Sequence, residues 1–117
     1  MERKLLAKLS KNIFNQLKDH DYTIIKYFQN DLGRYLLLLK IMESYFSEYS
    51  LSQERILESI PSSISSRSSL LNAINNLISK KYIKKEPDPN NKRAKLIIPE
   101  DNLVNEYKAW VKVIHKE

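Results

Sequence analysis

Apolar residues recur at helical spacing from the start of the chain. Leu5, Leu6, Leu9, Ile13 and Leu17 fall on one face and predict a first amphipathic helix. Asp19-His20-Asp21 can end it, or Asp21 can cap a restart whose apolar face is Ile24, Ile25 and Phe28. Asn30-Asp31-Leu32-Gly33 reads as a break. From about Arg34 to Tyr49 the pattern offers Leu36, Leu37, Leu39, Ile41, Met42, Tyr45 and Phe46. Its first half is apolar nearly all round, which predicts a helix crossing the centre of the core.

The pattern then shortens. Ser52 to Ile60 predicts a small amphipathic helix that buries Ile56, Leu57 and Ile60 and stops at Pro61. Ser62 to Ser69 is serine-rich, and strong helical periodicity begins at once, so the segment reads as a turn plus an N-cap. From about Ser66 to Lys81, Leu70, Leu71, Ile74, Leu77 and Ile78 share one face. Opposite them, at about 100° per residue, lie Ser65, Ser68, Ser69, Asn72, Asn76 and Ser79. Two short apolar strands follow, Tyr82–Ile83 and Leu96–Ile98, with the loop Glu86-Pro87-Asp88-Pro89-Asn90-Asn91-Lys92-Arg93 between them. Tyr82 to Glu86 can pair with Ala94 to Ile98, and Asp88-Pro89-Asn90-Asn91 supplies turn chemistry. Pro99-Glu100-Asp101-Asn102 starts a last helix with the stripe Leu103, Val104, Tyr107, Trp110, Val111 and Ile114.

Helix, turn, helix and basic-tipped hairpin is the plan of a winged helix-turn-helix, a mainly α fold with a small β-hairpin wing. The expected organisation is one domain over 1–117: N-terminal helices over 1–50, the helix-turn-helix over 51–83, the wing over 82–99 and a C-terminal helix over 100–117. The aromatic C-terminal stripe is either tucked onto the first helix or shared with a second subunit, and dimerisation is the sharper reading.

The second helix of the motif has an unusual outer face. A solvated helix face normally carries Glu and Lys; this one is small, polar and uncharged. Serine and asparagine are poor helix formers, but they hydrogen-bond to phosphates and base edges and permit close approach to a groove. The helix N-terminus adds free N–H groups for phosphate. The expected interface with double-stranded DNA therefore takes in Ser65, Ser66, Ser68, Ser69, Asn72 and Asn76, with Ser68, Ser69, Asn72 and Asn76 reading the major groove. Arg67 lies near the apolar side and is assigned a backbone contact. Lys84, Lys92, Arg93 and Lys95 are assigned to the wing's grip on the phosphates or the minor groove.

Charge strengthens this picture. The net charge is +6. Residues 80–95 hold seven basic groups against two acidic ones, while residues 1–79 hold ten against eight. A clustered basic patch attracts phosphate by releasing condensed counterions. The longest apolar run, Leu36-Leu37-Leu38-Leu39, falls far short of the roughly 18–20 residues of a membrane span. No uninterrupted apolar segment follows Met1-Glu2-Arg3-Lys4, so secretion is not expected. The absence of cysteine excludes disulfides, thiolate zinc sites and cysteine nucleophiles, and it fits the cytoplasm.

The run from Leu77 to Glu100 resembles the recognition-helix end and wing of MarR-type winged-helix regulators. Arg93 matches the wing arginine that this family inserts into the minor groove, and Lys92 fills the variable position before it. Asn91 stands where the family has an aspartate that orients the arginine. Lys81 stands where a glycine usually closes the helix, the turn between Ile60 and Leu70 is about three residues longer, and the first and last helices are shorter. The resemblance covers roughly residues 34–100. It implies a homodimer with interleaved terminal helices and two recognition helices about one DNA turn apart. It names no small-molecule effector.

No catalytic apparatus is expected. His20 and His115, the only histidines, read as ordinary surface residues. Glu54/Glu58 and Asp19/Asp21 are spaced as solvated or capping charges, there is no glycine-rich phosphate loop, and no cofactor or metal is expected. The alternatives to a regulator are a winged helix used for protein–protein contact and a phage- or replication-type architectural DNA-binding module. An apolar outer face on the second helix would mark the first of these, and this chain carries serine and asparagine there.

Overall fold

In the computed structural model of the chain, residues 2–19, 21–47 and 51–116 are described. The element order is α1 (Glu2–Lys18), α2 (Thr23–Gln29), α3 (Leu32–Phe46), α4 (Gln53–Ser59), α5 (Arg67–Ser79), β1 (Ile83–Asp88), β2 (Asn91–Pro99) and α6 (Asp101–Ile114). This is the mainly α fold with a two-stranded antiparallel wing that the pattern predicts. His20 and Tyr49, placed above at a surface position and at a helix end, lie outside the described residues.

The core forms where the apolar faces converge. Helix α3 runs through it and buries Leu37, Leu38, Ile41 and Met42. Phe28 of α2, Ile56 of α4, Ile74 and Leu77 of α5, Ile97 of β2 and Leu103 of α6 close around it. Ser44, buried in the same helix, accepts the backbone N–H of Leu51 at 2.6 Å and so fixes the entry to α4.

Local chemistry sets most helix ends. Asp31 caps α3 by accepting the N–H of Arg34, Ser52 caps α4 by accepting that of Arg55, and Ser66 caps α5 by accepting that of Ser69. Helix α2 differs from expectation. Its cap position is Tyr22, not Asp21, and no side chain of its own segment caps it. The Glu106 carboxylate of α6 instead accepts the N–H of Ile25 at 2.7 Å, a cap supplied across the fold. Gly33 also differs. It does not break the chain but sits buried in the first turn of α3, where a Cβ would lie 2.8 Å from Cβ of Ser65. The glycine lets the turn before α5 pack against α3.

The second helix of the motif ends in a backbone clasp. The N–H of Tyr82 donates to the carbonyl of Leu77, and that of Lys81 to the carbonyl of Ile78, both at 3.0 Å. Lys81 takes φ 63°, the left-handed conformation this closure demands and glycine usually supplies. The wing then extends further than expected. Residues assigned to the loop, Glu86 to Asp88 and Asn91 to Arg93, belong to the strands, and only Pro89 and Asn90 form the turn. The ladder runs from Ile83↔Pro99 to Pro87↔Lys95 and then jumps to Asp88↔Asn91. Pro87 has no N–H to give the ladder, which suits it to the edge of this bulge. A single bridge between Ser52 and Leu96 ties the wing to the start of α4.

The C-terminal stripe is largely covered within the chain. Leu103, Val104 and Trp110 of α6 are buried, and the Asn12 side-chain amide of α1 donates to the carbonyls of Ile114 (2.9 Å) and Lys116 (2.8 Å). An uncovered apolar face lies on α1, where Leu5, Leu6, Ile13, Phe14 and Leu17 remain exposed. No described helix is long and apolar enough to cross a membrane.

Candidate nucleic-acid interface

Helix α5 presents its apolar residues inward and its small polar residues outward. Leu70, Ile74 and Leu77 are buried, while Ser68, Ser69, Asn72, Asn76 and Ser79 are exposed. Asn75, which helical geometry places about 20° from Ser68, is exposed on the same face and was missed in the sequence reading. Ser65 is half-buried, packed against Gly33. Ser66 is committed to the cap, and its hydroxyl also lies 2.9 Å from that of Ser69 and 3.3 Å from that of Ser68. The three hydroxyls form one small network around the free N–H groups of the helix start.

Arg67 is engaged by Glu54. Its guanidinium forks onto the carboxylate with contacts of 2.8 and 2.6 Å, joining the start of α5 to α4. Hydrogen bonding from Arg67 holds the Glu54 carboxyl below the usual glutamate range, and the same bond raises the guanidinium above its ordinary value.

The wing separates its cations. Lys84 pairs with Glu86 at 3.3 Å and lies 3.9 Å from Glu100, and the hydrogen bond it donates to Glu86 raises its ammonium above the ordinary lysine value. Lys92, Arg93 and Lys95 are exposed and make no ion pair among the described residues. Arg93 and Lys95 line a cleft of about 300 Å³ with Asn91 and the start of α4. Asn91 accepts the backbone N–H of Arg93 at 3.1 Å, so it orients the backbone of the arginine.

A second group lies beside α5. A polar cleft of about 540 Å³ separates Ser65, Ser69, Asn72 and Asn76 from Tyr27, Asp31 and Arg34. The Arg34 guanidinium lies 4.4 Å from the centroid of the Tyr27 ring, and the Lys80 ammonium lies 4.9 Å from it. Neither Tyr27 nor Arg34 was singled out in the sequence, because more than thirty residues of chain separate them from the part of α5 they face. Among the described residues no group of three or more His, Cys, Asp or Glu is placed to hold a metal ion.

The arrangement defines a class, the winged helix-turn-helix, with an exposed hydrogen-bonding helix and a cationic wing. No model of a protein family matches the sequence, and no curated protein does. Solved structures are similar to it. Overoxidised AbfR bound to DNA matches over 97% of this chain and 83% of its own, with a TM-score of 0.53 and 23% identity. A SlyA-like transcription regulator from Listeria monocytogenes matches over 66% of this chain at a TM-score of 0.48 and 22% identity, and the match spans 49% of that protein's length. A MarR-like transcription regulator from Bacillus cereus ATCC 10987 matches over 96% of this chain and 75% of its own, at 0.46 and 15%. The chain shares the fold of AbfR, and the likeness extends beyond the wing and helix-turn-helix to the flanking helices.

Proposed function

We propose that this chain is a cytoplasmic, sequence-specific regulator of transcription that binds double-stranded DNA as a homodimer in the MarR-like manner. Helix α5 enters the major groove and reads bases through Ser68, Ser69, Asn72 and Asn76. Lys92, Arg93 and Lys95 of the wing hold the backbone or the minor groove. The observation that carries the reading is an exposed, uncharged hydrogen-bonding face on the second helix of the motif, accompanied by a wing whose tip cations have no carboxylate partner among the described residues. Lys84 contributes less than the tip, because Glu86 and Glu100 neutralise it. Arg67 serves first to tie α5 to α4 and reaches a phosphate only by leaving Glu54. With no cysteine in the sequence, thiol oxidation cannot control this chain.

The test is binding to random duplexes and to a selected operator across a range of salt concentrations. Arg93→Ala is expected to weaken binding to all sequences alike and to reduce the salt slope by about 1. Asn72→Ala is expected to relax the preference at one base position, with a loss of about 1–3 kcal/mol of discrimination there, while the slope stays unchanged. Absence of binding by the wild type at low salt would overturn the reading in favour of a protein-contact role.

A further inference from the structure

The geometry points to a second phosphate anchor beside the recognition helix: Arg34 and Lys80, gathered on the ring of Tyr27, clamp a DNA phosphodiester outside both the α5 face and the wing. This inference rests on the DNA-binding reading and extends it to a part of the molecule that the reading does not use.

Both cations lie within cation–π range of one ring, 4.4 and 4.9 Å from its centroid. The ring is held in turn by edge contacts to Phe28 (6.2 Å) and Tyr82 (6.1 Å), so it is a fixed platform. Cation–π attraction accounts for either cation alone. It does not remove the repulsion between two like charges gathered at one ring, and an anion bound beside them would offset it. No carboxylate of the described residues supplies that anion, since neither Arg34 nor Lys80 forms an ion pair. Asp31, the acidic residue lining the cleft, directs an oxygen to the backbone N–H of Arg34 at 3.0 Å as the cap of α3. Nε of Arg34 is screened from solvent and has no hydrogen-bond partner.

The ligand follows from the walls. Opposite Arg34 stand Ser69, Asn72 and Asn76, which belong to the proposed base-reading face. A strand whose bases meet these side chains carries its phosphates past the other wall. A planar guanidinium forks onto phosphate oxygens, and an ammonium adds a point charge. The cleft is polar and is lined on the α5 side from Ser66 to Asn76, which suits a continuous backbone.

Arg34→Gln and Lys80→Gln, made separately in the full chain, test the clamp beside Arg93→Ala. Each is expected to keep the wild-type thermal midpoint, to weaken binding to every duplex alike and to lower the salt slope by about 1. A reduced slope for Arg93→Ala with unchanged slopes for both clamp variants would overturn the clamp and leave the DNA reading standing. Absence of salt-dependent binding by the wild type would overturn the DNA reading itself, and the clamp with it. Titration with inorganic phosphate separates the remaining source: phosphate binding lost in Arg34→Gln, with DNA slopes unchanged, would make the cleft a small-anion site and also overturn the proposal.

Discussion

Lys81 shows how a single backbone conformation can be required by a fold and yet be filled by the wrong residue type. The clasp that turns α5 into β1 needs a left-handed residue, and Lys81 supplies φ 63°. A side chain there costs about 1–2 kcal/mol against a right-handed residue. Glycine removes that cost but adds about 0.4–1 kcal/mol of freedom to the unfolded chain. Lys81→Gly is therefore expected to raise the stability by about 1 kcal/mol, read as a higher urea midpoint with the denaturant slope unchanged. Lys81→Ala retains the Cβ and is expected to bring no such gain, which separates the backbone effect from the loss of a charge. The position was legible in the sequence through its departure from the wing pattern, since that pattern places glycine there. Gly33 misled for the complementary reason. A glycine reads locally as a break, whereas this one answers to the close approach of Ser65, a residue from a distant turn.

Elements whose form is set by local periodicity were legible, and those set by partners were less so. The helices α1, α3, α4, α5 and α6 follow from their apolar spacing, and the serine caps of α4 and α5 from residue type. The wing strands outran the sequence reading because backbone pairing carries the ladder through Glu86-Pro87-Asp88, residues of low strand preference, with a bulge absorbing Pro87. The outer face of α5 was legible as a hydrogen-bonding surface, but its companions Tyr27 and Arg34 were not, because only the packing of α2 and α3 brings them alongside. The α4–α5 tie was equally hidden: nothing in the spacing of Glu54 and Arg67 announces their fork. That tie has a definite pH signature. Because hydrogen bonding to Arg67 depresses the Glu54 carboxyl in the folded state, its contribution is complete above the ordinary glutamate range and is lost as pH falls through the lower folded value. Both groups are solvent-exposed, so the effect on stability is small. An NMR titration is expected to place Glu54 below the ordinary glutamate value, and Arg67→Gln to return it towards that value. An unshifted Glu54 in the wild type would mean that the fork does not persist in solution.

At the scale of the whole molecule, the shape argues for a second copy. A compact chain of this length has a radius of gyration of about 13 Å, whereas the observed value is 15.4 Å and the longest extent is 48 Å. Helix α1 reaches away from the body: residues 2–8 are all exposed, including Leu5 at 51% and Leu6 at 56%, and further along Phe14 is exposed at 62%. A half-helix with no packing partner is marginal in water, and an apolar face left open along a helix marks an interaction site in a soluble protein. The proposed homodimer would supply the same face of another copy, because an exchange of α1 arms about a two-fold axis would cover both at once. On the proposed DNA-binding reading, such an exchange is expected to bring two wings into one symmetric unit, with their recognition helices about one DNA turn apart, roughly 34–36 Å. Sedimentation equilibrium is expected to return twice the 13.8 kDa mass of the chain. Leu6→Glu combined with Phe14→Glu is expected to return a monomer with reduced helical signal, because the freed arm frays. That monomer should keep the wild type's affinity for a duplex carrying one half-site and lose the gain that the wild type shows for two half-sites spaced by a turn. A wild type that sediments as a monomer at micromolar concentration and binds one- and two-site duplexes alike would rule out the arm exchange, and the exposed face of α1 would then need a different partner.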